Sequence, residues 1–360
     1  MKLLIIGDKS RFIHLESFCN SLEKYHFESR LIYDMDFLSG FFDSPTSKSK
    51  NKKKFEEMIS EYNPDFVLLD RVSKLGLDIS KQNIPFGILL RGNIWEEIQG
   101  YKKKSKVFLR ENFSIRKYKK MVDECFDLAD IIFPISKYLE KEVRERYPGE
   151  RIELLYADGR NPSEWNEGQG MKLKHPCVGL LQGAGVWNKT KEILTLDKIL
   201  NELPNVNFYW AGDGDYKKDI LEVLEKHKNF KWIGKIKYPE QVKQFLTEID
   251  VFALFSGLEG FGQSILEAQL MKKPTICSNV GGIPEIIKNG YNGFLVGIND
   301  HVEWKKRILE VLEDTKKSKE MSQNGYDIVS KNFNWEIIAE KFYDIIIKNS
   351  NLLEKQQKNQ

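Results

Sequence analysis

Cysteine is scarce. The 360-residue chain has four, Cys19, Cys125, Cys177 and Cys277, and no CxxC pair among them. That scatter excludes a disulfide framework, argues against a zinc site and fits a reducing compartment. Charge of one sign is also lacking. With 56 basic against 53 acidic residues the net charge is +3, so no nucleic-acid partner is expected and any basic surface must come from local clustering. No apolar stretch approaches the roughly 18 residues needed to span a bilayer. The opening run Leu3-Leu4-Ile5-Ile6 is too short for the core of a signal peptide and breaks at Gly7-Asp8-Lys9. The expectation is a cytoplasmic protein that can still touch the inner face of a membrane. What is present, 41% hydrophobic and 30% charged residues, is the balance of a soluble globular chain long enough for two domains.

Short apolar runs alternate with longer amphipathic ones. Leu3–Ile6, Phe66–Leu69, Phe86–Leu90 and Ile131–Pro134 read as strands, with helices at Phe12–Tyr25, Lys52–Tyr62, Ile115–Leu128 and Lys137–Tyr147. A polar stretch rich in Gly, Pro and Asn, Ala157 to Gly170, marks a linker. The alternation then restarts with strands at Cys177–Leu181, Val206–Trp210, Phe230–Ile233, Val251–Phe255 and Thr275–Cys277. Such alternation implies βαβ units and parallel sheets. The expected architecture is α/β: two Rossmann-like, doubly wound domains over residues 1–165 and 171–332, facing a cleft. Ligands would sit at the carboxyl ends of the strands. A closing helix over 333–350 would return to the first domain, and Asn351–Gln360 would be frayed.

The segment Glu259-Gly260-Phe261-Gly262-Gln263-Ser264-Ile265-Leu266-Glu267 follows one strand and opens a helix. Its glycines let the backbone turn tightly and approach a ligand. The N–H groups and dipole at the helix start favour an anion such as a diphosphate. Glu259 lies in the loop and Glu267 two helical turns on. One carboxylate can therefore meet the sugar end of a donor while the other accepts hydrogen bonds from ribose hydroxyls. Asp213-Gly214-Asp215 has the letters of a metal-holding DxD motif, but it reads as a turn after a strand. Asp215 is expected to cap the helix near Tyr216-Lys217-Lys218, and no metal is expected.

This segment resembles the E-x7-E signature of retaining GT-B glycosyltransferases, above all glycosyltransferase family 4 (glycosyl transferases group 1). The resemblance extends through Lys273-Pro274-Thr275-Ile276, Val280-Gly281-Gly282-Ile283-Pro284-Glu285 and Asn292-Gly293-Phe294-Leu295-Val296, the last a further strand. Ala211-Gly212-Asp213-Gly214 is similar to the family's GDG loop, Ala129-Asp130 with Ser136 to its AD…S segment, and Phe333-Asn334-Trp335 to the start of its closing helix. The resemblance implies a donor site built from Glu259, Lys189, Lys191, Gly183, Gly185, Gly212, Asp213, Gly214, Gly260, Phe261, Gly262, Gln263 and Glu267. In it, Lys189 would neutralise the leaving diphosphate. Three positions depart from the pattern. Leu181-Gln182-Gly183 carries no arginine before the lysine, Gly7-Asp8-Lys9-Ser10 replaces a GG loop, and Leu90-Arg91-Gly92-Asn93 stands where many members have a histidine. Arg91 cannot act as a base but can hold a phosphate or carboxylate, and with Glu259 and Lys189 it is expected among the catalytic residues.

The implied activity is a hexosyltransferase that moves a hexose or N-acetylhexosamine, with retention, from a UDP- or GDP-sugar to a glycan or lipid-linked acceptor. It would need no cofactor beyond the nucleotide sugar. Basic residues among apolar ones, Tyr101-Lys102-Lys103-Lys104-Ser105-Lys106 before Val107, Phe108, Leu109 and Phe113, and Arg116-Lys117-Tyr118-Lys119-Lys120, would either face solvent or dock on an anionic membrane surface. Lys52-Lys53-Lys54 reads as a solvated helix face, and Trp187 and Trp335 as packing residues. Two rival readings remain: a non-catalytic nucleotide-sugar binder, and a GT-B epimerase acting on a UDP-sugar. A nicotinamide-dependent dehydrogenase is disfavoured, because Gly183-Ala184-Gly185 lacks the third glycine of the fingerprint.

Overall fold

Strands that are apolar at every position have no face to offer water, so they belong inside a parallel sheet covered by helices on both sides. The computed structural model, which describes residues 1–38, 44–101 and 108–349, contains two such sheets. The first has β1 (Lys2–Gly7), β2 (Glu28–Tyr33), β3 (Phe66–Leu69), β4 (Phe86–Leu90) and β5 (Ile131–Pro134) in the order β2-β1-β3-β4-β5. The second has β6 (Cys177–Leu181), β7 (Asn207–Ala211), β8 (Phe230–Gly234), β9 (Val251–Leu254), β10 (Thr275–Ser278) and β11 (Phe294–Val296) in the order β11-β10-β9-β6-β7-β8. Every pairing is parallel. Both are doubly wound. The strand order reverses direction at β1/β3 in one and at β6/β9 in the other, which is where open sheets of this kind bind ligands.

Strand β2 is the element that apolar runs do not reveal. It lies at a sheet edge and alternates exposed and covered residues, so it carries too few consecutive apolar positions to stand out. One aspartate device recurs in both units. Asp130, just before β5, accepts the Phe86 N–H at 3.0 Å, and Asp250, just before β9, accepts the Cys177 N–H at 2.7 Å. Each ties the start of one strand to the start of its neighbour. Ser136 caps the helix Lys137–Arg146 through the Leu139 N–H.

The chain divides into two compact units. Of the described residues, the first holds 1–91, 108–159 and 335–349, and the second holds 92–101 and 160–334. This division differs from the expected one in three places, the smallest being that residues 333–334 stay with the second unit. Residues 160–165 go with the second unit because Arg160 is bound there by Glu267 and Trp165 packs on Tyr238. The helix Ile94–Tyr101 does so because it packs on the helix Trp187–Thr190, where Asn188 Nδ2 donates to the Glu96 carbonyl at 3.4 Å.

The closing helix Trp335–Lys348 belongs to the first unit and lies against the helix Phe12–Leu22. Its Phe342 ring is fully buried and meets Phe18 at 5.5 Å, Phe133 at 5.6 Å, Phe27 at 5.9 Å and Phe66 at 6.4 Å. Trp335 packs at a tilt on Phe18, 5.5 Å between ring centroids, a packing role. Lys52 and Lys53 pair with Glu56 and Glu57 one turn on, both at 3.5 Å on exposed side chains, which is a solvated face. The run 116–120 is exposed. Lys102–Val107, which carry the core of the other basic segment, and Asn351–Gln360 lie outside the described residues, as do the side chains of Phe108, Leu109 and Phe113. Among the described residues no helix is long and apolar enough to cross a membrane.

Removing the Phe342 ring empties a site lined by four other aromatic rings. Phe342→Ala is expected to destabilise the first unit by about 3–5 kcal/mol. Urea unfolding checks this, and a loss below about 1 kcal/mol would mean that the closing helix contributes little to that core.

Candidate functional site

The loops that follow β6, β7, β9 and β10 emerge at the carboxyl ends of neighbouring strands, across the switch point of the second sheet. After β6, Gln182 turns the chain toward the short helix Trp187–Thr190, which carries Lys189. Gln182 occupies the stretch where an arginine was missed, and it acts as a tie. Its Nε2 donates to the Phe255 carbonyl at 2.6 Å, and its own carbonyl accepts from Trp210 Nε1 at 2.8 Å. The Gly257 N–H in turn donates to the Lys189 carbonyl at 3.2 Å. The lysine turn and the glutamate loop are thus fastened backbone to backbone. Gly183 and Gly185 are exposed, and a side chain at either would meet little.

After β9, Ser256 is buried and holds the loop, its N–H on the Ser278 hydroxyl and its hydroxyl on the Leu258 carbonyl. The loop delivers Glu259 to Lys189, with Nζ–Oε1 at 2.9 Å and side chains 34% and 12% exposed. Gly262, at φ +110°, stands at the cap position of the helix Gln263–Leu270 and has no side chain with which to cap it. From the β10 side, the Gly282 N–H donates to the Glu259 carbonyl at 3.2 Å. A side-chain carbon on Gly281, which sits at φ +55°, would fall 1.8 Å from that same carbonyl oxygen. Only glycine fits there. Glu267 lies deeper and is 5% exposed, where Arg160 donates to its Oε1 from Nε at 3.0 Å and Nη2 at 2.7 Å. The Tyr238 hydroxyl also donates to it. Burial first, then the neighbouring Glu267 carboxylate, pushes that phenol well above its ordinary range.

Residues 187–328 match the family model described as glycosyl transferases group 1. The match lies within the second unit. A glycosyltransferase of Methanocaldococcus jannaschii is 31% identical over 210 residues, which is 58% of this chain and 56% of that one. The chain thus spans just over half the length of that curated relative. Sucrose-phosphate synthase from Thermosynechococcus elongatus is 15% identical, with a TM-score of 0.75 over 98% of this chain and 99% of that one. HepE of Anabaena, solved with UDP and glucose, is 17% identical, with a TM-score of 0.70 over 96% and 99%. These likenesses give the GT-B fold.

Of the residues expected to act together, Lys189, Glu259, Gly260, Phe261, Gly262, Gln263 and Glu267 share one loop system. Lys191 stands beside it, exposed, its side chain passing near Gly257. The turn after β7 needs a correction. Asp215 does not cap the following helix. The cap position of Lys217–Leu224 is Tyr216, with no side-chain hydrogen bond, and Tyr216 N–H donates to the Ala184 carbonyl. Gly214 sits at φ +149°, pressed against Ala184, so the turn is shaped by the neighbouring loop. Asp213 is engaged instead, by Lys217 at 2.9 Å and by the Gly214 N–H. Both contacts, the lysine first, hold its carboxyl below the usual range. Trp187 packs on Tyr216 at 5.2 Å, as expected of a packing residue.

Arg91 lies in the first unit. It belongs to a buried knot in the first unit, donating to Asp70 Oδ1 at 2.6 Å, to Asp158 Oδ1 at 2.6 Å and to the Ala157 carbonyl at 2.8 Å. Arg11 joins at Asp158, 2.7 Å away. The signal was available: Asp70 and Arg91 each follow one of the paired strands β3 and β4.

Two functional candidates were missed. Arg160 comes from the linker. Glu97 comes from the helix Ile94–Tyr101, and its carboxyl is raised by burial, with Lys189 pulling it back down and Glu259 adding to the rise. A third grouping lies at the amino-terminal ends of β6 and β9. Among the described residues, His175, Cys177 and Asp250 bring ligand-type atoms within 4.8 Å of one another, a proximity that cysteine spacing did not suggest. His175 is already engaged there, with Asp250 at 2.8 Å and Glu248 at 3.0 Å.

Gly281→Ala is expected to cost more than about 1 kcal/mol, since alanine must take a positive φ and the Glu259 carbonyl must move. Thermal unfolding together with nucleotide-diphosphate binding checks it. An unchanged melting temperature would mean that the turn relaxes freely.

Proposed function

We propose that the chain is a retaining glycosyltransferase that carries a hexose or N-acetylhexosamine from a UDP- or GDP-sugar to an acceptor hydroxyl, in glycan, glycolipid or envelope-polysaccharide synthesis. The observation that carries this reading is the Lys189–Glu259 pair at the switch point, beside the start of the helix Gln263–Leu270. An ammonium at 2.9 Å from a carboxylate is a cation already oriented for a bound diphosphate. Once the donor arrives, Lys189 meets the growing charge of the leaving phosphate, together with the N–H groups of Phe261, Gly262 and Gln263. Glu259 then faces the sugar, whose ring becomes cationic as the bond to phosphate breaks. Glu267 meets the ribose hydroxyls. No second carboxylate is assigned as a covalent nucleophile, so the leaving phosphate oxygen takes the proton from the acceptor hydroxyl on the same face. The UDP and glucose held by HepE favour UDP as the nucleotide. The first unit would receive the acceptor, and the exposed run 116–120 would let it approach an anionic membrane surface.

Kinetics with a panel of nucleotide sugars test these roles. Glu267→Ala should raise the donor KM, a loss of uniform binding. Glu259→Ala should lower kcat, a loss felt in the transition state. Lys189→Ala should lower turnover by about 100-fold, with Lys191→Ala far milder. Wild-type kinetics in Glu259→Ala and Lys189→Ala would remove the reading, and donor binding without turnover would point to a nucleotide-sugar binder.

The reaction proposed here needs no metal, because Lys189 and the helix start meet the diphosphate charge while Asp213 is held by Lys217. Activity should persist in excess EDTA. Loss on chelation that manganese or magnesium restores would overturn this description of the donor site.

A further inference from the structure

The second glutamate of the loop is not held by its own helix. Its partner is an arginine from the linker, more than a hundred residues away in sequence. Arg160 is 2% exposed and Glu267 5% exposed, so both charges are out of water. Two guanidinium nitrogens converge on the single oxygen Oε1, at 3.0 and 2.7 Å, and the Tyr238 hydroxyl donates to the same carboxylate. The arginine is itself fixed, since its backbone N–H donates to the Phe333 carbonyl at 2.9 Å, and the Phe333 ring meets Phe261 of the glutamate loop at 5.2 Å. A carboxylate gripped in this way has one orientation. One that must accept hydrogen bonds from two vicinal hydroxyls needs just that, because a rotated carboxylate loses both.

We propose that Arg160, seconded by Tyr238, is a positioning residue for donor recognition. It sets the plane of the Glu267 carboxylate and so enforces selection for a ribose bearing both its 2′- and 3′-hydroxyls. Arg160 touches no substrate; it acts through Glu267. This rests on the reading that Glu267 meets the ribose.

The test compares binding of UDP with that of its 2′,3′-dideoxyribose analogue, by calorimetry on the full chain. Wild type should prefer UDP. Arg160→Met should cut that preference by about tenfold while leaving the affinity for pyrophosphate, which contacts neither hydroxyl, unchanged. Arg160→Lys should restore only part of it, since a point charge lacks the two-nitrogen grip. Tyr238→Phe, which removes one donor and keeps the ring, should reduce it less. A double variant with Glu267→Gln should add nothing to the single one. If wild type shows no preference for UDP, the ribose reading of Glu267 fails. If wild type discriminates and both Arg160→Met and Tyr238→Phe keep the full ratio, positioning by Arg160 is wrong. Should Arg160→Met not fold, an unchanged ratio in both Arg160→Lys and Tyr238→Phe overturns the proposal on its own.

Discussion

A carboxylate removed from water must be matched by a cation or it will not stay ionised. In the second unit this constraint is met twice over the length of one loop and helix, by Lys189 on Glu259 and by Arg160 on Glu267. The two matches differ in kind. The first is part-exposed and made by a flexible ammonium, so a bound anion can draw the lysine away at little expense. The second is buried and made by a planar fork, so it stays closed. The loops, glycines and backbone ties around the switch point all serve to keep these two cations at these two acids.

The first unit meets the same electrostatic problem with two arginines and two aspartates. Arg11 and Arg91 meet Asp70 and Asp158 at the carboxyl ends of the first sheet, the region where open sheets place their ligands. The pairs close on themselves. Position in the fold therefore decided less than what was already bound there: equivalent places at two sheet edges carry, in one case, a knot and, in the other, a lysine facing open loops.

Much of the fold could be read from runs of apolar residues, because a strand covered on both faces cannot hide its composition. Leu3–Ile6, Phe66–Leu69 and Cys177–Leu181 stood out for that reason, while Glu28–Tyr33, half exposed at an edge, did not. Within the site, Glu259, Glu267 and the glycines could be read because they lie close together in one stretch. Arg160 and Glu97 could not. Their place beside that stretch is a product of tertiary folding, and neither an arginine in a polar linker nor a glutamate on an amphipathic helix departs from its surroundings. The helix cap at Asp215 failed for the same reason. Local spacing favoured it, and contact of the turn with Ala184 from the neighbouring loop overrode it.

The hydrogen bond from the Arg160 N–H to the Phe333 carbonyl, 2.9 Å long, joins the residue where the chain last passes into the second unit to one beside the residue where it leaves. A unit whose two ends meet is threaded into its host like a bead on a loop, and its internal loops can be lengthened, shortened or recut without altering the span its host must bridge. Such a module can be traded whole between chains, and a lineage could alter what this block binds by exchanging it while keeping the first unit. The helix Ile94–Tyr101 is the exception: it comes from elsewhere in the chain, and with it Glu97, so a transplanted block would arrive without that carboxyl and would have to find it in its new host.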